Sequence, residues 1–141
     1  METEMLEIRN FTEQGYQPLV AFGEWRVAAL RYHEGSQPER IHTMERHLAT
    51  DEVFVLTHGS AILILGGNGA EVGELQPFDM QIGPVYNVKK GAWHTTLLSR
   101  DAHIIIVEND NTGKENSESA ALNTSHLRAI QTVARSFFTG K

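Results

Sequence analysis

Residues 44–67 read MERHLATDEVFVLTHGSAILILGG, and the spacing inside this stretch decides what kind of chain folds here. EVFVLTH and AILIL are short, apolar and rich in β-branched residues, with a Gly59-Ser60 break between them. Such runs bounded by a glycine turn read as two strands. Side chains alternate along a strand, so Glu52, Phe54 and Leu56 share one side. Just upstream, residues 39–48 alternate in charge and apolarity. Helix is open to them by propensity, but the strong strand that follows favours an extended segment. Glu45 and His47 then share a face too. A barrel built from such strands can set carboxylates and an imidazole around its interior mouth while the apolar residues fill the floor.

Outward from this centre the pattern repeats. A strand is expected over residues 25–32, ended by the break at 35–38. Residues 78–99 hold two or three short strands, broken at Gly83-Pro84 and Lys90-Gly91, and 102–109 form the last clear strand. The connection 66–75, which contains GGNG, is a turn and not a phosphate cradle. Near the start, Leu6, Ile8 and Phe11 suit a short edge strand. Residues 110–124 are polar and read as a linker. In residues 125–141 Leu127, Ile130, Ala134 and Phe137 recur at helical spacing, with Thr124 or Ser125 as the cap. This amphipathic helix docks on its own barrel or on a partner subunit. The expected division is an edge segment at 1–24, a barrel at 25–109, a linker at 110–124 and a helix at 125–141. Many short strands, frequent glycine turns and one terminal helix indicate an all-β sandwich or barrel.

Composition narrows the functional classes. The chain has 141 residues, one compact domain's worth, of which 40% are hydrophobic. It has no cysteine, which removes disulfides, thiolate metal sites and cysteine nucleophiles. The net charge of −6 disfavours nucleic acid, whose phosphates need clustered Lys and Arg. No apolar run approaches spanning length, so no membrane is expected. The opening residues lack a signal-peptide pattern, so a cytoplasmic location is expected. No nucleophile elbow, phosphate loop or dinucleotide fingerprint occurs.

Two clusters carry the chemistry: Glu45-x-His47-x4-Glu52-x6-Gly59, and Gly91-Ala92-Trp93-His94. Imidazoles and carboxylates on adjacent strands form a mixed nitrogen and oxygen site for manganese, iron(II), nickel or zinc. His47, Glu52 and His94 are the candidate metal ligands. Glu52 qualifies because an unpaired carboxylate among apolar neighbours is expensive. Glu45 is a ligand, a general base or a solvated carboxylate. His42 and His103 read as surface residues or as groups orienting a ligand. His33, His58 and His126 read as exposed. Arg31 and Lys89 are candidates for attracting a substrate carboxylate. Trp93 is core packing or a pocket wall.

These residues resemble the two motifs of the cupin superfamily, whose fold is a double-stranded β-helix or jelly-roll barrel. In the first motif His47, Glu52 and Gly59 match, with Glu45 in place of its first histidine. In the second, Gly91 and His94 match, with Lys89 in place of proline. Within that superfamily the run His42, Glu45, Arg46, His47, followed by Trp93, His94 and Leu97, is similar to ureidoglycolate lyase. Thr95 stands where that family has a second histidine, and Arg31 lies where it has an arginine. The resemblance implies a metal-dependent carbon–nitrogen lyase that splits a small ureido or hydroxy carboxylate. Glu45 or Glu52 would be the proton acceptor. The expected partner beyond the substrate is a second copy of the chain, joined through sheet edges or the terminal helix. Other members of the superfamily are sugar isomerases, dioxygenases or non-catalytic small-molecule binders.

Overall fold

The computed structural model describes residues 2–139. Ten strands form two antiparallel sheets. The strands are β1 (Gly15–Phe22), β2 (Trp25–Arg31), β3 (Thr43–His47), β4 (Glu52–His58), β5 (Ala61–Leu65), β6 (Gln76–Asp79), β7 (Tyr86–Val88), β8 (His94–Leu98), β9 (His103–Asn109) and β10 (Ser117–Ala121), and a helix α1 (Thr124–Thr139) follows. One sheet runs in the order β1-β2-β9-β4-β7 and the other β10-β3-β8-β5-β6. The two face each other as a jelly-roll barrel, the all-β fold with a C-terminal helix that the sequence indicated.

Two cores hold it. The interior is filled by Ala28, Phe54, Leu56, Leu63, Val88, Leu98, Ile104 and Ile106. A second cluster lies between the back of the β5–β8 sheet and the helix, where Met44, Ile62, Ile64, Trp93 and Leu97 meet Ile130, Ala134 and Phe137. This explains the unbroken apolarity of AILIL. Leu63 looks inward and Ile62 and Ile64 look outward, and both faces are covered. The helix therefore docks on its own barrel. Its cap is Asn123, whose Oδ1 accepts from the His126 N–H at 2.8 Å, rather than Thr124 or Ser125.

Two expectations about the flanks change. The edge strand is Gly15–Phe22 and not the stretch around Leu6, Ile8 and Phe11, because β1 pairs along its length with β2 through a tight turn at Gly23, φ 59°. Leu6 and Ile8 stay exposed. The segment expected as linker holds β10, which pairs with β3 from Ser117↔His47 to Ala121↔Thr43. Backbone pairing with an open edge stabilises it, so its small polar side chains gave no hydrophobic signal. Two glycines are conformationally required. Gly59 has φ +77°, and a Cβ there would lie 2.7 Å from the Ala102 backbone. Gly91, at φ +83°, turns the chain into β8 while its N–H donates to the His47 carbonyl at 2.7 Å.

Candidate metal centre

Three strands, β3, β4 and β8, aim side chains at one end of the barrel. Met44 packs toward the helix, so alternation turns Thr43, Glu45 and His47 inward. Glu45 sits opposite His94 in the β3–β8 register. Glu52 begins β4, above Phe54 and Leu56. His47, Glu52 and His94 are all buried, at 7, 6 and 5% exposure. His47 Nε2 lies 3.1 Å from Glu52 Oε1 and His94 Nε2 lies 2.9 Å from the same oxygen. Glu45 Oε1 approaches His47 Nε2 at 3.8 Å.

The His94 ring is oriented unambiguously. Its Nδ1 is 3.0 Å from the Ala92 carbonyl, which can only accept, so Nδ1 carries a hydrogen. In the neutral ring Nε2 is then a bare lone pair facing a carboxylate oxygen. Two acceptors repel at that distance, and the contact becomes attractive only with a positive charge there, a proton or a metal ion. His47 is held from behind by Ser117 Oγ, 2.8 Å from Nδ1, and a hydroxyl serves either tautomer. Two groups of donors lie close enough to hold one ion: Glu45, His47 and His94, with ligand atoms within 4.8 Å of one another, and His47, Glu52 and Glu108. The borderline-to-hard donor set fits a divalent ion.

Electrostatics follow from this packing. Burial works against charge on Glu52, but hydrogen bonds and charge from His47 and His94 outweigh it and hold its carboxyl at about 2. Burial opposes the charged form of both imidazoles, and the Glu52 hydrogen bond and charge reverse that, raising both.

A cavity of about 460 Å³ opens over the cluster, lined in part by Tyr16, His33, Thr43, Glu45, Thr95 and Ser119. A smaller one, about 280 Å³, shares Tyr16, Glu45 and Glu52 with it and adds Arg26, His47 and Glu108. Sequence reading missed Tyr16, Arg26 and Glu108. The Tyr16 hydroxyl donates to Glu108, and Arg26 reaches Tyr16 Oη and Glu108 Oε2, each at 2.9 Å. Burial first, then the Glu108 hydrogen bond, pushes the Tyr16 phenol up and keeps it protonated. His33 also lines the larger cavity, where the sequence suggested only an exposed turn.

Three expected substrate contacts lie elsewhere. Trp93 is 2% exposed in the helix-side core, where its Nε1 donates to Gly69 O at 3.0 Å and Arg46 stacks on its ring at 4.5 Å. Lys89 pairs with Asp51 at 3.4 Å in an exposed turn. Arg31 follows the inward-facing Leu30 and so faces the outside of the barrel, donating to the Phe11 carbonyl at 3.3 Å.

Solved structures share this architecture. An RmlC-like cupin family protein with a double-stranded β-helix, from Methanocaldococcus jannaschii, superposes with a TM-score of 0.53 at 11% identity, covering 76% of this chain and 93% of that one. The chain has the cupin fold. Hydroquinone 1,2-dioxygenase from Sphingomonas sp., with 4-hydroxybenzoate bound, gives 0.54 at 11% identity over 72% of this chain and 68% of its own. Streptomyces Pac13, a nucleoside dehydratase solved with uridine, gives 0.54 at 9% identity over 82% and 86%. No protein-family model and no curated protein matches the sequence. Cupin barrels with this outline thus include enzymes, and this one carries a His/Glu cluster able to hold a metal. Among the described residues no helix is long and apolar enough to cross a membrane.

Proposed function

We propose that the chain is a divalent-metal-dependent lyase that splits a small hydroxy or ureido carboxylate of the ureidoglycolate type. The observation that carries this reading is the convergence of His47 Nε2 and His94 Nε2 on one Glu52 oxygen, beneath a cavity whose rim holds a further carboxylate. His47, Glu52 and His94 would hold the ion, which when bound polarises substrate hydroxyl and carboxylate oxygens. Glu45 is the better proton acceptor. Glu52 is engaged by two imidazoles and held at about 2, too acidic for a base. Glu45 is largely exposed at the mouth and borders both cavities. It takes the substrate's hydroxyl proton; the electron pair of that O–H bond becomes the second bond of the carbonyl, the C–N pair leaves with the nitrogen, and the same proton passes to that nitrogen. Arg31 and Lys89 sit outside the cavity, so hydroxyls of Thr43, Thr95, Thr96 and Ser119 supply the remaining polar contacts.

The test loads purified protein with manganese, iron(II), nickel or zinc and measures urea and glyoxylate released from ureidoglycolate. Glu45→Gln should lower turnover about 100-fold or more with the ion retained; loss of the ion as well would make Glu45 a ligand and not the base. No turnover with any ion rules the lyase out, and iron-dependent oxygen uptake would assign an oxygenase instead.

The same chain pairs with a second copy in this reading. The apolar face of α1 is used within the molecule. The outer face of the β2–β9–β4 sheet instead presents half-buried Val27, Val53, Val55, Ile105 and Val107, an apolar patch free of charged side chains, as a shared two-fold contact would need. Sedimentation equilibrium should find a dimer that Val55→Lys shifts toward monomer; a monomeric wild type discards this pairing.

A further inference from the structure

The outside of the barrel carries a concavity separate from the metal cluster. It holds about 410 Å³ and is lined by Gln14, Arg31, Tyr32, Glu34, Gln37 and Arg100. Arg31 ends β2, and Arg100 stands in the turn between β8 and β9.

Two arginines without a carboxylate partner among the described residues meet in this one cavity. In a chain of net charge −6 an arginine readily finds an acid. Arg9 pairs with Glu2 and Glu7, Arg26 with Glu108, Arg40 with Glu34, and Arg46 with Glu118. Arg31 and Arg100 have no carboxylate partner among the described residues. Arg31 gives one hydrogen bond, to the Phe11 carbonyl, and Arg100 lies 5.0 Å from the centre of the Tyr32 ring. Both forks keep N–H groups to spare, since each guanidinium carries five. The acid on the wall, Glu34, has an 80% exposed side chain that approaches Arg40 at 3.9 Å. Beyond the rim, His103 stands opposite Arg31 in the β2–β9 register, with His58 stacked on it at 5.3 Å. Burial first, then the charges of Arg31 and His58, push His103 down, against the opposing charge of Asp101.

We infer that this cavity is an anion site that takes a small dianion, a phosphomonoester or a dicarboxylate, between the guanidiniums of Arg31 and Arg100. Planar guanidinium forks match carboxylate and phosphate oxygens two at a time. The amides of Gln14 and Gln37 add neutral donors on the same wall. The site lies close to the metal-side cavity. Tyr32 and Glu34 line the anion cavity, and His33 between them lines the other. That turn is tied internally: Gly35 N–H donates to His33 Nδ1 at 3.1 Å and Ser36 Oγ to the His33 carbonyl at 2.6 Å. A bound dianion therefore rests against the far side of a turn that walls the larger cavity.

The test is isothermal titration calorimetry of EDTA-dialysed, metal-free protein with inorganic phosphate and, separately, succinate at constant ionic strength. One saturable site is expected. Arg100→Gln, an exposed turn residue whose loss leaves the fold intact, should weaken it about 10-fold or more, the loss of one charge-assisted contact. Arg31→Gln should weaken it similarly. His94→Ala should leave it unchanged, which separates this site from the metal centre. Tighter binding of phosphate assigns a phosphorylated ligand, and tighter binding of succinate a dicarboxylate. Absence of binding by either anion, or wild-type affinity in Arg100→Gln, overturns the inference.

Discussion

His94→Ala should abolish binding of a divalent ion by the His/Glu cluster. Changing a residue that only orients a metal ligand lowers affinity about 10- to 100-fold. Removing the ring whose lone pair is fixed by Ala92 should therefore lower it by at least about 100-fold, measured by elemental analysis after dialysis or by calorimetry. Ser117→Ala removes the hydroxyl behind His47 and should fall in the milder range, about 10-fold. The contrast matters, because a merely structural site would lose affinity in proportion to lost stability. Wild-type affinity in both His94→Ala and His47→Ala would show that the ion is held elsewhere.

The same geometry fixes the sign of the pH dependence. In metal-free protein the raised imidazoles add stability fully present below the unfolded histidine value, about 6.5, and lost as pH rises through their folded values. Glu52, held at about 2, adds stability that is present above the unfolded value and lost as pH falls from about 4.3 toward 2. The metal-free protein should therefore melt lower at pH 8.5 than at pH 6. A metal competes with those protons, so its stabilisation should grow over the same interval. Parallel melting curves with and without ion across that range would refute a shared site.

What could be read from residues alone has a physical boundary. Alternation put Glu45 with His47 and Glu52 with Phe54, and those pairs do face the interior. Strand period is local, so it is legible. Apolarity likewise marked β4, β5, β9 and the helix. Strand β10 was invisible because SESAA sends only the small Ala120 against the helix-side core and owes its place to the free edge of β3. Ser117, which orients His47, was hidden with it. Arg31 misled for the converse reason: a charged residue at a strand end suggests a site, but one step of alternation from Leu30 turns it outside. Tyr16, Arg26 and Glu108 meet only because β1, β2 and β9 lie side by side. Residues separated by as many as 92 positions give no local signal. The absence of cysteine, by contrast, had already confined any ligand set to nitrogen and oxygen.

That hidden cluster gives the largest expected change in stability. Glu108 has a side chain 3% exposed, and Arg26, 16% exposed, is its counter-charge. Arg26 also donates to the carbonyls of Asp110 and Thr112, at 3.0 and 3.2 Å, so its fork ties β2 to the chain that follows β9. Burial already pushes the Glu108 carboxyl up, and the nearby Glu52 charge adds to that against the Tyr16 and Arg26 hydrogen bonds. Arg26→Leu leaves this carboxylate buried beside Glu52 with the Tyr16 hydroxyl as its remaining donor. Breaking a buried pair on one side costs about 3–5 kcal/mol, which in a chain of this size lowers Tm by roughly 10 °C. Glu108→Gln should be milder, about 1–2 kcal/mol, because an amide still bonds both Tyr16 and Arg26. The double variant Arg26→Leu with Glu108→Leu removes both charges, and urea unfolding should find it more stable than Arg26→Leu alone. If the double variant is instead as unstable as the sum of its single changes, the loss comes from packing and not from an orphaned charge. The pair would then be a filler of the barrel wall and not the group that balances charge behind the His/Glu cluster.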